Sequence, residues 1–304
     1  MLQLNVTDET SRLRAVLLGT AESCGPVPTP EEAYDPKSME HILAGTYPKE
    51  EDMVKEMEAF ASVFEKYGVT VYRPKVFKDV NQIFSRDITF VIEDKLIKAN
   101  ILPDREIEIE AINHVLDEIP KENIITPPKN VHIEGGDVMP YGDYIFIGTY
   151  TGADYSDYIT ARTNKAGVDF IKSLFPNKKV KSFELRKSNT IANENALHLD
   201  CCFQPVGKDN AIIHKNGFLL EEEYLWLVNF FGKENVFEIT KDEMYHMFSN
   251  VFSISPDVVV SERNFTRLNN WLREKGFTVE EIPYAEISKQ EGLLRCSTMP
   301  LIRD

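Results

Sequence analysis

No run of apolar residues in this sequence approaches the ~18 needed to cross a bilayer as a helix. The opening stretch, MLQLNVTDETSRLR, also lacks the apolar core of a secretory leader. Together these absences give the expectation of a cytoplasmic protein with no membrane partner. Cysteine is scarce too. Cys24, Cys201, Cys202 and Cys296 are too few for a disulfide scaffold in 304 residues and form no C-x-x-C zinc pattern. Free thiols in a reducing compartment follow. Basic residues are outnumbered, 34 Lys and Arg against 49 Asp and Glu, for a formal net charge of −15. A nucleic-acid partner needs a concentrated basic face, so the composition argues against one. An acidic surface attracts small cations instead.

The chain is otherwise an ordinary globular sequence, 42% hydrophobic and 27% charged, and it has a beat. Each beat is a polar residue, a strand, a tight turn, a second strand, an amphipathic helix and a short strand. RDITFVIEDKLIKAN starts one at Asp87 with its turn at Glu93–Asp94, and GDVMPYGDYIFIGTY another at Asp137 across Gly142–Asp143. LDCCFQPVGKDNAIIHKNGF starts a third at Asp200 across Gly207–Lys208, and SNVFSISPDVVVS a fourth at Asn250 across Pro256–Asp257. The four starts are separated by 50, 63 and 50 residues. The turn chemistry suits hairpins, and the flanking Val, Ile, Phe and Tyr suit strands.

Helical spacing fills the intervals. EDMVKEMEAFASVFEKYG places Met53, Met57, Phe60, Val63 and Phe64 on one face, with Gly68 as its C-cap. REIEIEAINHVLDEI, NKAGVDFIKSLF, EEEYLWLVNFFG and NFTRLNNWLREKG read as helices as well. With SRLRAVLLG and VTVYRP as a further unit, the chain counts five ββα-type repeats. Repeats that pack on their neighbours hide their edges by closing radially. The expectation is an α/β fold, a five-bladed α/β propeller spanning 1–304 as one catalytic domain, with blade-starting residues converging near a pseudo-fivefold centre. The Pro-rich stretch 25–52 reads as a surface loop or lid, and 150–161 as an insertion.

Chemically versatile residues gather at the starts of the repeats. They are Asn81, Arg86 and Asp87 in NQIFSRD; His132, Glu134 and Asp137 in HIEGGD; and His198, Asp200, Cys201 and Cys202 in HLDCC. Arg162 stands in YITARTN, and Arg295 and Cys296 stand in RCSTMPL. A cysteine, a histidine and spare carboxylates make a nucleophile, a base and a cation-binding pocket. A thiolate suits attack on an electron-poor carbon, and paired carboxylates suit a planar guanidinium.

NQIFSRD, HIEGGDV, RTNKAG, HLD and LLRCSTMPL resemble, in the same order, the motifs of the guanidino-group-modifying (pentein) superfamily. That group includes arginine deiminases, dimethylarginine dimethylaminohydrolases and amidinotransferases. The resemblance runs from about Ser11 to the end and implies a five-bladed α/β propeller. It implies Cys296 as nucleophile, His198 as general acid/base and Glu134 as the carboxylate that orients and charges the histidine. It further implies Asp87 and Asp200 as carboxylates gripping guanidinium nitrogens. Asn81 and Arg162 match deiminase positions that hold the substrate's amino-acid end, and Arg105 is a weaker match of the same kind. The implied activity is hydrolysis of arginine or an Nω-substituted relative through a covalent S-alkylthiouronium, with amidino transfer to an acceptor amine as the alternative. No cofactor and no metal are expected. The partner is a small guanidino substrate, and a homodimer is compatible with these features.

Three features depart from the deiminase pattern. Glu291 stands five residues before the cysteine, where arginine deiminases typically carry an arginine; an acid there is expected to repel an α-carboxylate and favour a cationic or neutral group. The stretch EGLLRCS instead looks closer to dimethylargininases. The residues at 150–161 threaten to displace Arg162, and Cys201 and Cys202 have no assigned role beyond that of small buried apolar groups. A metal site on His132, Glu134, His198 and Asp200 is the competing arrangement. It lacks a third clear ligand beside each His-x-acid pair and leaves Cys296 unexplained. A non-catalytic scaffold is the remaining alternative, and the complete Cys–His–Glu–Asp set argues against it.

Overall fold

Strand β1 (Leu13–Leu18) is the apolar LRAVLL, and its parallel neighbour β2 (Thr70–Tyr72) follows only after two helices, α1 (Pro36–Leu43) and α2 (Glu50–Lys66). A parallel partner needs such a crossover, whereas an antiparallel one needs only a turn. The computed structural model, which describes residues 1–304, repeats this economy around the molecule. After the short helix α3 (Ser85–Ile88), β3 (Thr89–Ile92) pairs antiparallel with β4 (Lys95–Lys98). Helices α4 (Ile107–Glu110) and α5 (Asn113–Leu116) then lead to β5 (Ile124–Ile125), parallel to β4.

The next blade joins β6 (Val138–Tyr141) to β7 (Tyr144–Thr149) and returns through α6 (Lys165–Leu174) to β8 (Lys179–Glu184). The following one joins β9 (Phe203–Val206) to β10 (Asn210–Ile213) and returns through α7 (Glu221–Phe231) to β11 (Val236–Glu238). Past α8 (Lys241–Tyr245), β12 (Phe252–Ser255) and β13 (Val258–Glu262) form the last hairpin, followed by α9 (Thr266–Glu274) and β14 (Thr278–Ile282). Finally β15 (Thr298–Arg303) pairs antiparallel with β1, setting Thr298 opposite Leu18 and Arg303 opposite Leu13. The result is five three-stranded sheets, the five-bladed α/β propeller expected from the repeat. The end of the chain supplies the missing strand of the first blade, so no sheet is left with the bare edge that invites aggregation at β1.

The helix read from 50 onward forms as spaced. Met53, Met57, Phe60, Val63 and Phe64 are buried, and Phe60 packs its ring 5.8 Å from Phe252 and 5.7 Å from Tyr284. Two other expectations change. REIEIEAINHVLDEI is broken into α4 and α5 after a 3₁₀ turn at Pro103–Arg105. The break falls at Ala111–Ile112, past a buried ion pair in which Arg105 donates through Nε and Nη2 to both Glu108 oxygens at 2.7 and 2.9 Å. The stretch 25–52 is more than a surface loop. It carries α1, whose Asp35 cap accepts from Ser38 N at 2.7 Å. Buried Lys37 anchors it by donating to the Tyr245 carbonyl at 2.5 Å.

Candidate active site

Every blade begins with a tight helical turn that hands its polar residues to the centre before the first strand. Asp87 rides on α3, Glu134 precedes the 3₁₀ turn Gly135–Asp137, and His198 precedes the turn Leu199–Cys201. Asn250 sits just before β12, and Cys296 in the turn before β15. The glycine pair after Glu134 is required by close approach. A Cβ on Gly136 would lie 2.6 Å from His198 Cγ, and one on Gly135 would lie 2.0 Å from the Arg86 carbonyl oxygen.

The histidine lies between two carboxylates. His198 Nε2 is 2.7 Å from Glu134 Oε2, and Nδ1 is 3.8 Å from Asp87 Oδ1. Burial opposes its charged form, but Asp87 and the Glu134 hydrogen bond outweigh burial and raise its pKa above the ordinary imidazole value. Glu134 is also buried, yet Arg162 and His198 hold its carboxyl well below the usual range. Replacing Glu134 by glutamine keeps the shape and removes the charge. His198 in Glu134→Gln is therefore expected to titrate at lower pH than in the parent protein, which NMR of the imidazole protons reads directly. An unchanged titration would contradict the pairing.

Cys296 is fixed by the neighbouring blade. Asn250 Oδ1 accepts from the backbone N–H groups of Arg295 and Cys296 at 2.9 and 3.2 Å, and its Nδ2 stands 3.2 Å from Sγ. The thiol also lies 3.6 Å from Asp200 Oδ2. Burial, then Asp200 and Asp87, push its pKa well up, with Arg295 pulling the other way. These surroundings favour the thiol, and an added cation among these acids would favour the thiolate.

Cys296, His198, Asp87, Asn81, Arg105, Arg162 and Glu291 all line one cavity of about 740 Å³. Glu134 and Asp200 stand behind this wall, fully buried. Asp200, expected as a guanidinium grip, has its Oδ2 held by Arg295 Nη1 at 2.8 Å. Four buried carboxylate oxygens are left without a donor, Asp87 Oδ1, Glu134 Oε1, Asp137 Oδ2 and Glu291 Oε2, and of these Asp87 and Glu291 line the cavity. Asn81 donates to Gln290 Oε1 at 2.6 Å.

Arg162 reaches the site despite the preceding residues, which help hold it there. Its Nε donates to Ile159 O at 2.7 Å, Nη1 to Glu134 Oε2 at 3.2 Å and Nη2 to Tyr34 O at 2.8 Å. Arg105 donates through Nη1 to Asp87 Oδ2 at 3.0 Å. Glu291 accepts from Asn195 at 2.6 Å. Its burial and the adjoining Asp35 carboxyl push its pKa well up, against Asn195 and Lys37. These surroundings favour its neutral form, which weakens the charge repulsion of an α-carboxylate expected from the sequence.

The four-residue metal arrangement does not assemble. His132 Nδ1 pairs with Asp154 at 2.6 Å and its ring tilts over Tyr155, while Asp200 is held by Arg295. Asp87, Glu134 and His198 do offer ligand atoms within 4.8 Å of one another, a spacing that equally suits a planar organic cation. Cys201 and Cys202 lie in the largest apolar cluster. Sequence reasoning gave Asn250 no contact with the thiol and did not single out Glu108, Tyr34 or Asp35. A polar residue recurring at the fourth blade start was the available signal for Asn250.

The uncharacterized protein YkgA of Bacillus subtilis is 29% identical over 224 residues, covering 73% of this chain and 70% of YkgA. The arginine deiminase of Pediococcus pentosaceus is 28% identical over 208 residues, 57% of this chain, and the match spans about half of that enzyme, 48%. Among solved structures, the N-terminal domain of ArgZ, a cyanobacterial arginine dihydrolase, superposes with a TM-score of 0.77 at 16% identity. That superposition covers 95% of this chain and 98% of the other, and it shows a common fold. Residues 46–303 match the model of the family described as N,N dimethylarginine dimethylhydrolase, eukaryotic. With its propeller and its converging Cys, His and acids, the chain belongs to that family, within the guanidino-group-modifying pentein superfamily.

Proposed function

We propose that the protein is a cysteine-dependent hydrolase of a guanidino compound, arginine or an Nω-substituted relative. The observation that carries this reading is the shared cavity, which Cys296, His198 and Asp87 all line. Asp87 Oδ1, on the cavity wall, lacks a donor, and a guanidinium supplies donors in the fork geometry that carboxylates bind best. Its positive charge offsets the acids around Cys296 and lowers the cost of the thiolate.

The Cys296 thiol then gives up its proton to solvent, and the thiolate attacks the guanidinium carbon, forming a C–S bond. Protonated His198 gives its proton to one nitrogen as that C–N bond breaks, releasing ammonia or an amine. A covalent S-alkylthiouronium remains. His198, now neutral, removes a proton from water, which adds to the same carbon, and the C–S bond breaks to return the thiol and a ureido product. Splitting the displacement in two replaces one poor reaction with two easier ones. Arg105 and Arg162 line the same wall, and each keeps at least one of its five N–H groups beyond those its protein partners take. Those groups suit an α-carboxylate.

The test is incubation of the purified chain with arginine, methylated arginines and agmatine, with colorimetric detection of ureido product and of the released amine. Hydrolysis of at least one of them is expected. Ureido product from none would overturn the reading, and transfer of the amidino group to added glycine would assign amidinotransferase chemistry instead.

A further inference from the structure

Beneath the nucleophile runs a fully buried chain of charges that the mechanism above does not use. Arg295, next to Cys296, forks onto Glu9: Nε reaches Oε2 and Nη2 reaches Oε1, both at 3.0 Å. Its Nη1 bonds Asp200 Oδ2 at 2.8 Å, and that same oxygen stands 3.6 Å from the Cys296 sulfur. The guanidinium is completed by the carbonyls of Gly135, Gly136 and Val138, at 3.4, 3.3 and 2.8 Å. Two of those carbonyls belong to the turn that follows Glu134. One cation therefore ties the nucleophile's turn, the acid beside the thiol and the turn carrying the histidine's partner.

Glu9 lies on the segment before β1, outside the stretch matched by the family model. It also faces Arg86, whose Nη1 is 3.7 Å away, and Arg303 acts on it from β15. Arg86 in turn donates its backbone N–H to the Cys296 carbonyl at 3.0 Å. The charges Glu9, Arg86, Arg295 and Asp200 balance in pairs, which is how a buried ionic cluster avoids an uncompensated charge. The groups that act on the thiol from all sides are Asp200, Asp87 and Arg295, with Asn250 in contact and Cys201 on the other oxygen of Asp200.

We propose that Glu9 is a positioning residue for the Cys296 nucleophile, acting through Arg295 and Asp200. Its carboxylate holds the Arg295 fork in place and offsets a positive charge that would otherwise act on the sulfur. The proposal rests on Cys296 being the nucleophile.

The test measures the rate of Cys296 alkylation by iodoacetamide against pH in the full chain without substrate, read by peptide mass. In Glu9→Gln, nearly isosteric but uncharged, one positive charge beneath the thiol loses its partner. The profile is expected to move to lower pH, with alkylation at pH 7 faster by about threefold to tenfold, equivalent to about half to one pKa unit. Glu9→Asp keeps the charge and is expected to keep the parent profile even where the shorter side chain lowers thermal stability. Coincident profiles for the parent and Glu9→Gln overturn the proposal, because a purely structural role moves stability and not the titration. If Glu9→Gln does not fold, a shifted profile in Glu9→Asp overturns it instead. Retained turnover in Cys296→Ser would sink the nucleophile assignment separately, whatever Glu9 does.

Discussion

Cys296→Ser is expected to lower turnover on the best guanidino substrate by on the order of 10⁴-fold or more, as loss of a covalent nucleophile does in other enzymes. The reason is local. The sulfur sits among Asp200, Asp87 and buried surroundings that already push a thiol's pKa well up. A serine hydroxyl, far less acidic, has no route to ionisation there, even with a guanidinium present. The fold should tolerate the exchange: Asn250 Nδ2 can donate to an oxygen as it approaches the sulfur at 3.2 Å, and its clasp on the two backbone N–H groups is untouched. Steady-state assays with a thermal-unfolding control measure both. Activity above about a tenth of the parent's would remove the covalent route.

His198→Gln is expected to lower turnover by roughly 10²–10⁴-fold, the usual worth of a positioned acid/base. The amide can still contact Glu134, so the substitution separates proton transfer from packing. Both chemical steps should suffer, because the same imidazole gives a proton to the departing nitrogen and takes one from water. The pH dependence of the parent carries a matching signature. Asp87 and Glu134 raise the imidazole above its ordinary value, so the protonated acid for the first step persists into higher pH than for a free imidazole. The alkaline limb of the parent's turnover should reflect that group and be absent from the residual activity of His198→Gln. An alkaline limb common to both proteins would contradict the assignment.

The sequence made the blades legible because strand alternation and turn chemistry are local signals. Asp87, Asp137, Asp200 and Asn250 recur at hairpin starts, and each stands one to three positions before the first strand of its hairpin in the structure. The helix over 50–66 was equally readable, since its apolar face repeats at helical spacing. What escaped depends on partners distant along the chain. The helix that periodicity alone extends is interrupted at Ala111–Ile112, and Arg105 before it reaches Asp87, 18 positions back. The Asp200 pairing with Arg295, 95 residues away, is equally invisible in the sequence. Glu9 and Arg295 are separated by 286 positions, so neither pattern nor spacing announces their fork. Glu291 reads as an anion in sequence, whereas burial beside Asp35 pushes its pKa up and favours the neutral form. Charge state is a property of surroundings, and surroundings are what a single sequence states least directly.

The central claim is a bond between Cys296 and the guanidinium carbon. Acid quenching of the parent chain during turnover, followed by peptide mass mapping, tests it most directly. The account predicts a mass increase matching the substrate less its departing amine, on the peptide that contains Cys296 and absent from Cys296→Ser. Turnover with that peptide unmodified at every quench time, and the adduct instead on Cys24, Cys201 or Cys202, would contradict it.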